Sequence, residues 1–239
     1  MNSKMKLTPH ILYKILLEEF GQQNWWPMDK YHHKKHGSDP RFEIIVGAIL
    51  TQNTAWSNVE KALTNLKSKN MLDIKKISDI DTKILQNLIK PSGFFNQKAR
   101  RLKNIASYLH DKYHDDLDTF FDRNLYDIRE ELLSLNGIGP ETADSILLYA
   151  GNLPIFVVDA YTKRICKRLP LKTEISYGEI QHYFEEELSK KYSKDEIMQI
   201  YNELHALIVV LAKNYCKKKP ACDKCPLKKY CEFKKNLLQ

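Results

Sequence analysis

Four of the chain's five cysteines fall within sixteen residues, at Cys216, Cys222, Cys225 and Cys231 in the spacing C-x5-C-x2-C-x5-C. Isolated exposed thiols oxidise, so four packed into one lysine-rich tail must share a task. A disulfide scaffold would spread its cysteines along the chain, and a cytosolic chain would not form one. Zinc takes four thiolates tetrahedrally, typically from two C-x2-4-C knuckles. Here Cys222 and Cys225 make a single close pair flanked by two wider gaps. Wider gaps let a chain wrap a larger object, which favours a cubane iron–sulfur cluster and leaves zinc as the alternative. Pro220 and Pro226 stiffen the loops between the thiols. Cys166 stands apart in a helical Arg-Ile-Cys-Lys-Arg run and reads as a small, half-buried hydrophobe.

The rest of the composition is that of a globular protein with a polyanionic partner. At roughly 100–200 residues per domain, a chain of 239 holds one large domain or two small ones. Lysine and arginine number 38 against 30 acidic residues, a net charge of +8. Nine of those lysines lie in Lys213–Lys235, against Asp223 and Glu232 alone. A basic excess of this kind suits nucleic acid. No apolar run approaches the ~18 residues of a membrane span, and the N-terminus lacks a signal-peptide core, so a cytoplasmic protein, neither secreted nor in a membrane, is expected.

Apolar residues recur at helical period along most of the chain, which predicts an all-α fold. Ile11, Leu12, Ile15, Leu16 and Phe20 line a first helix; Phe42, Ile45, Val46, Ile49 and Leu50 line another. Leu125, Ile128, Leu132 and Leu133 mark a third, and the run from Ile197 to Leu211 a long fourth. Only Ile155–Val158 looks strand-like, too short to found a sheet. Met28–Pro40, with its histidines between Tyr31 and His36, reads as a solvated loop, and Glu185–Glu187 as a solvated helix face.

Two of only eight glycines, Gly137 and Gly139, lie one residue apart in Leu-Asn-Gly-Ile-Gly-Pro. A chain so sparing of glycine that places two together needs an unusual backbone there. One helix ends near Leu135, and Pro140 opens the next, where its missing N–H costs nothing. Backbone amides around Gly137, Ile138 and Gly139 would then face one anion, and a nucleic-acid phosphate fits. About twenty residues on, Asp159 sits between Ile155–Val158 and a new helix. Such an aspartate is an N-cap, and the same placement suits a functional carboxylate.

These two motifs together resemble the helix–hairpin–helix DNA glycosylase superfamily, the endonuclease III group, from about Phe42 to the C-terminus. The group's Leu-x-Gly-x-Gly hairpin is matched by Leu135–Gly139, and its Val-Asp segment by Val158-Asp159 with Arg164-Ile165. The four cysteines match its C-terminal [4Fe–4S] loop, with a first gap one residue shorter than usual. The resemblance implies a two-domain all-α fold: a six-helix domain at 42–150, and a cluster domain joining 1–41 to 151–239. Double-stranded DNA would bind in the cleft between them, and the protein would act as a monomer at the nucleoid. Bifunctional members carry a nucleophilic lysine two residues after the second hairpin glycine. Glu141 stands there, behind Pro140, and a carboxylate cannot form an imine.

A second likeness is to the 3-methyladenine DNA glycosylase III family. It rests on Trp25-Trp26-Pro27, Gly47–Thr54, Pro91–Ala99 and Gly137–Asp144. It implies that Trp25, Trp26, Pro27 and Trp56 line a base pocket. Alkylated purines are cationic, and a tryptophan face attracts a cation by ~0.5–2 kcal/mol. The two likenesses imply that Asp159 stabilises an oxocarbenium-like sugar. They imply that Gln52 and Asn53 fill the gap left by a flipped nucleotide, and that the hairpin and Arg164 hold phosphate. The alternatives are an endonuclease III-type lyase on oxidised pyrimidines with Lys163 as its substitute amine, a uracil or mismatch glycosylase, and a non-catalytic damage-binding module.

Overall fold

The computed structural model describes residues 7–171, 176–231 and 233. Lys234, Lys235 and Glu232 of the basic tail lie outside the described residues. All regular structure among the described residues is helical. Among them, no helix is long and apolar enough to cross a membrane.

The chain divides into two compact units, one of Trp26–Leu153 and one of Met1–Trp25 with Pro154–Gln239. Residues 26–41 thus group with the six-helix region, not with the flanking segments to which the sequence reading attached them. The division falls between Trp25 and Trp26.

In the Trp26–Leu153 unit, the helix Pro40–Leu50 is buried from Phe42 through Leu50. A helix apolar on every side belongs inside a domain. It packs against Trp56–Ser68, Phe95–Tyr113 and the wide turn Ile146–Ala150. Asp39 starts it by accepting the Arg41 N–H at 2.8 Å, with Pro40 in the first turn.

One charged residue interrupts that buried run, and it explains the main departure from the sequence reading. Glu43, 1% exposed, takes a 2.7 Å contact from His33 Nε2 and a 2.9 Å hydrogen bond from Lys67 Nζ. Burial pushes the Glu43 carboxyl up, but the bonds from His33 and Lys67 outweigh it and hold the group below its ordinary range. Met28–Pro40 is therefore no solvated loop. Lys30–His36 is a helix capped by Asp29, which accepts the His32 N–H at 2.9 Å. His32 and His33 are buried. Polar composition misled because His33 faces a buried carboxylate ten residues away, a pairing no local pattern shows.

In the other unit, the 21-residue helix Lys194–Asn214 is the spine. A capping box between Ser193 and Glu196 starts it. Its apolar face packs against Pro9–Phe20, Ala160–Arg168 and Tyr177–Ser189. The strand-like Ile155–Val158 is buried and extended, yet belongs to no sheet. Its backbone bonds go to side chains of the helix Tyr177–Ser189 instead. Glu185 Oε1 accepts the Phe156 N–H at 2.8 Å, Gln181 Nε2 donates to the Phe156 carbonyl at 2.8 Å, and the Tyr177 hydroxyl accepts the Val158 N–H at 3.4 Å. Glu185 is thus a structural partner and not part of a solvated face. This rack delivers the chain to Asp159.

Candidate active site

Asp159 ends the racked segment and caps the helix Ala160–Arg168. Its Oδ1 accepts the Thr162 N–H at 2.7 Å and the Thr162 hydroxyl at 2.8 Å. Its Oδ2 faces His205 Nε2 at 3.8 Å. The side chain keeps 11% of its surface, so it is held firmly and not sealed off. Both readings of this aspartate are therefore compatible, because the cap uses one oxygen and leaves the other. Cys166, on the same helix, is buried, and burial pushes its thiol up to about 12, which makes it inert. Lys163 Nζ lies 5.5 Å from the centre of the Tyr177 ring.

Trp25 belongs to the same unit and is half-buried. The turn before it is clasped by the buried Glu203, whose carboxylate accepts the Gln23 N–H at 2.8 Å and the Asn24 N–H at 2.9 Å. Asn24 adopts φ +50°, a conformation that asparagine tolerates. Glu203 escaped the sequence reading, since its role is to pair with backbone 180 residues away.

The hairpin, the Thr51–Thr54 loop and the remaining aromatics belong to Trp26–Leu153. The helix Leu125–Ser134 ends before Gly137, which turns the chain at φ +87°, and the helix Pro140–Ser145 follows. A side chain at Gly137 would run into the Arg101 side chain, while Gly139 faces open space. Gln52 stands beside the hairpin: its Nε2 donates to the Gly137 carbonyl at 3.1 Å and to Thr142 Oγ1 at 2.9 Å, and its Oε1 accepts from Arg101. Gln52 is thus a brace for the hairpin, whereas Asn53 is exposed at φ +52°. Ile138 is buried and anchors the turn.

A second loop lies against the first. Lys98 Nζ, in the buried side of Phe95–Tyr113, donates to the Leu50 carbonyl at 2.8 Å, Thr54 Oγ1 at 2.9 Å and the Ser92 carbonyl at 2.7 Å. Thr54 in turn donates to Ser92. Burial, helped by the charge of Arg101, lowers the Lys98 ammonium to about 8. Just past Ser92 comes Phe94, 64% exposed and at φ +44°. A left-handed backbone is uncommon and strained for a bulky residue. Phe94 lies within Pro91–Ala99, and no local sequence pattern marks it apart from its neighbours.

Trp26 and Trp56 meet edge to face at 5.3 Å, and Trp26 meets Tyr149 at 5.5 Å. Gly47 lets the indole lie on the helix Pro40–Leu50, since a Cβ there would fall 2.7 Å from Trp26 Cζ2. Tyr149 sits on the π-helical turn Ile146–Ala150. Nothing in the sequence announces a π turn, so Tyr149 went unseen. Trp56 also borders, with Pro27, a cavity of about 290 Å³.

The four cysteines of the tail line one hollow with Arg168 and Tyr215. Among the described residues, no three His, Cys, Asp or Glu side chains converge on a single metal ion. Burial, then the neighbouring charges of Cys216, Cys231 and Cys222, push the Cys225 thiol up to about 11. Arg168 stands beside them, its Nη1 3.3 Å from Cys216 Sγ and 2.7 Å from the Lys217 carbonyl. Arg164 Nε donates to the Cys216 carbonyl at 2.8 Å. Arg164, expected at phosphate, is therefore also a tie between the Asp159 helix and the cysteine loop. All-thiol donors ringing one hollow beside a guanidinium suit a cluster that carries negative charge.

Comparison with known proteins agrees with this geometry. The family described as HhH-GPD superfamily base excision DNA repair protein matches residues 46–190. A protein of Methanocaldococcus jannaschii provisionally named a DNA repair glycosylase is 47% identical over 92% of this chain and 94% of its own. Endonuclease III of Thermotoga maritima is 30% identical over 84% of this chain and 86% of its own. The crystal structure of Helicobacter pylori 3-methyladenine DNA glycosylase bound to 1,N6-ethenoadenine superposes with a TM-score of 0.69 at 32% identity, over 85% of this chain and 96% of that one. With the hairpin, the capping aspartate and the all-helical frame in place, the chain belongs to the HhH-GPD superfamily of base excision DNA repair proteins.

Proposed function

We propose that this DNA repair glycosylase removes alkylated purines, such as 3-methyladenine, from duplex DNA by hydrolysis alone. The observation that carries the reading is the aromatic group of Trp26, Trp56 and Tyr149 laid on Gly47. Aromatic faces attract a cationic base and stack on it without reading its edge. Pro27, in the same unit, borders the proposed pocket beside Trp56. The likeness to the Helicobacter pylori 3-methyladenine enzyme supports the same substrate class.

The hairpin amides at Gly137, Ile138 and Gly139, braced by Gln52, hold a backbone phosphate. Asn53 and Phe94 enter the stack as the damaged nucleotide leaves it. As the N-glycosidic bond breaks, positive charge grows on the sugar. Asp159, fixed through Oδ1, stabilises that charge and takes a proton from the attacking water. An alkylated purine carries its own positive charge, so it departs without a general acid.

Glu141, exposed in the first turn after Pro140, supports hydrolysis without strand cleavage, because no amine stands at that position. Lys163, one turn past Asp159, is the residue on which a lyase reading would rest.

Cys216, Cys222, Cys225 and Cys231 would hold a [4Fe–4S] cluster. Bound there, it would tie the tail together, and the exposed Lys217–Lys219 would be the loop's contribution to DNA binding. The protein is read as a monomer working on chromosomal DNA in the cytoplasm.

The test is Asp159→Asn. Release of base from methylated DNA is expected to fall by at least about 10²-fold, with duplex affinity kept. Wild-type release by that variant would remove Asp159 from the chemistry.

A further inference from the structure

Asp159 is fixed on one side only by its own helix. Two hydrogen bonds from Thr162 hold Oδ1, at 2.7 and 2.8 Å. What freedom remains to the carboxylate is rotation that swings Oδ2. His205 stands on that side, with Nε2 at 3.8 Å from Oδ2. That distance exceeds the ~2.7–3.2 Å of a hydrogen bond and is close contact for ring and carboxylate.

The ring is well anchored. It projects from the middle of Lys194–Asn214 with only 12% of its side chain exposed. Its neighbours Leu204, Ala206, Leu207 and Ile208 are buried. Two residues earlier, Glu203 grips the Gln23 and Asn24 amides. The backbone that carries the ring therefore cannot retreat without moving the spine of its unit. Burial lowers the His205 imidazole below its ordinary value, with the charge of Asp159 opposing, so the ring is neutral near neutral pH. A neutral ring does not cancel the carboxylate's charge.

We propose that His205 is a positioning residue for Asp159, a stop that holds Oδ2 in one orientation while leaving its negative charge intact. The inference rests on Asp159 being the carboxylate of the reaction. His205 touches neither base nor sugar; it acts through Asp159.

A double-mutant cycle tests this, read as single-turnover release of methylated purine from methylated duplex DNA. Incubations run long enough to measure the residual rate of Asp159→Asn. His205→Gln is expected to slow release by about 10- to 100-fold, the cost of a misplaced catalytic group. Duplex affinity and melting temperature should match wild type. In the Asp159→Asn background, His205→Gln should cost nothing more. The inference is overturned if His205→Gln releases base at the wild-type rate, if its loss repeats in full beside Asp159→Asn, or if only affinity falls. His205→Asn serves if the Gln variant folds poorly, with the same expectations. If Asp159→Asn alone keeps the wild-type rate, the reading beneath the inference fails instead, and the inference with it.

Discussion

Lys98 Nζ lies 2.7 Å from the Ser92 carbonyl and 2.8 Å from that of Leu50, so one buried ammonium fastens the loop before Phe94 to the end of a core helix. The three acceptors around it are neutral. Burial therefore wins and the group's pKa falls from 10.5 to about 8. A lysine with a lowered folded pKa binds fewer protons folded than unfolded. Stability from this group then rises with pH between about 8 and 10.5, and is flat well below 8. Relative to Lys98→Met, the wild type should gain about 3 kcal/mol across that window, a 2.5-unit shift at 1.36 kcal/mol per unit. Urea unfolding of both proteins at pH 7.5 and 10.5 reads the difference; a gap that does not widen contradicts the assignment.

Phe94 holds a left-handed backbone with its ring in solvent. If it stacks in DNA, Phe94→Ala should weaken duplex binding by ~1–3 kcal/mol and leave the melting temperature nearly unchanged. Phe94→Gly should bind as poorly yet melt higher than the Ala variant, since glycine adopts φ +44° without strain. Fluorescence anisotropy and thermal melting separate the two effects. Full affinity in both variants would take Phe94 out of the interface.

Gly137 and Gly139 lie in one turn but differ in what they demand. At Gly137 a side chain meets both a φ of +87° and the Arg101 side chain. Gly137→Ala should cost ~1–2 kcal/mol of stability from backbone strain alone. It should also loosen duplex binding by freeing Arg101 and Gln52. Gly139→Ala, with open space at its Cβ, should fold like wild type. Unfolding curves for the pair check this; equal stabilities would mean that the turn has been misread.

For the cysteine tail, anaerobically purified protein should contain iron and acid-labile sulfide in equal amounts, with broad visible absorbance. Cys225→Ser should lose both and leave a tail open to protease. One zinc per chain by elemental analysis, with no sulfide, would contradict the cluster.

What the sequence revealed and what it hid follow a physical divide. Periodicity exposed the helices Pro9–Phe20, Pro40–Leu50 and Lys194–Asn214, because each buries a face set by local spacing. The hairpin and Asp159 were legible for a similar reason, since turn chemistry and capping are local. Partners far apart in sequence were not. His33 looks solvated until Glu43 is beside it, and Glu185 until Phe156 is. Gln52 looks ready for DNA until Gly137 claims its amide. Tyr149, Glu203 and His205 carry no motif at all; only packing brings each to a tryptophan, a turn or a carboxylate.

The central claim is excision of alkylated purine without strand cleavage. The direct measurement treats duplex DNA with a methylating agent, adds purified protein, and follows free base and strand breaks with and without alkali. Free 3-methyladenine, with breaks that appear only after alkali, is the expected result. No free methylated base, with breaks at oxidised pyrimidines before any alkali, would contradict both the aromatic pocket and the argument from Glu141.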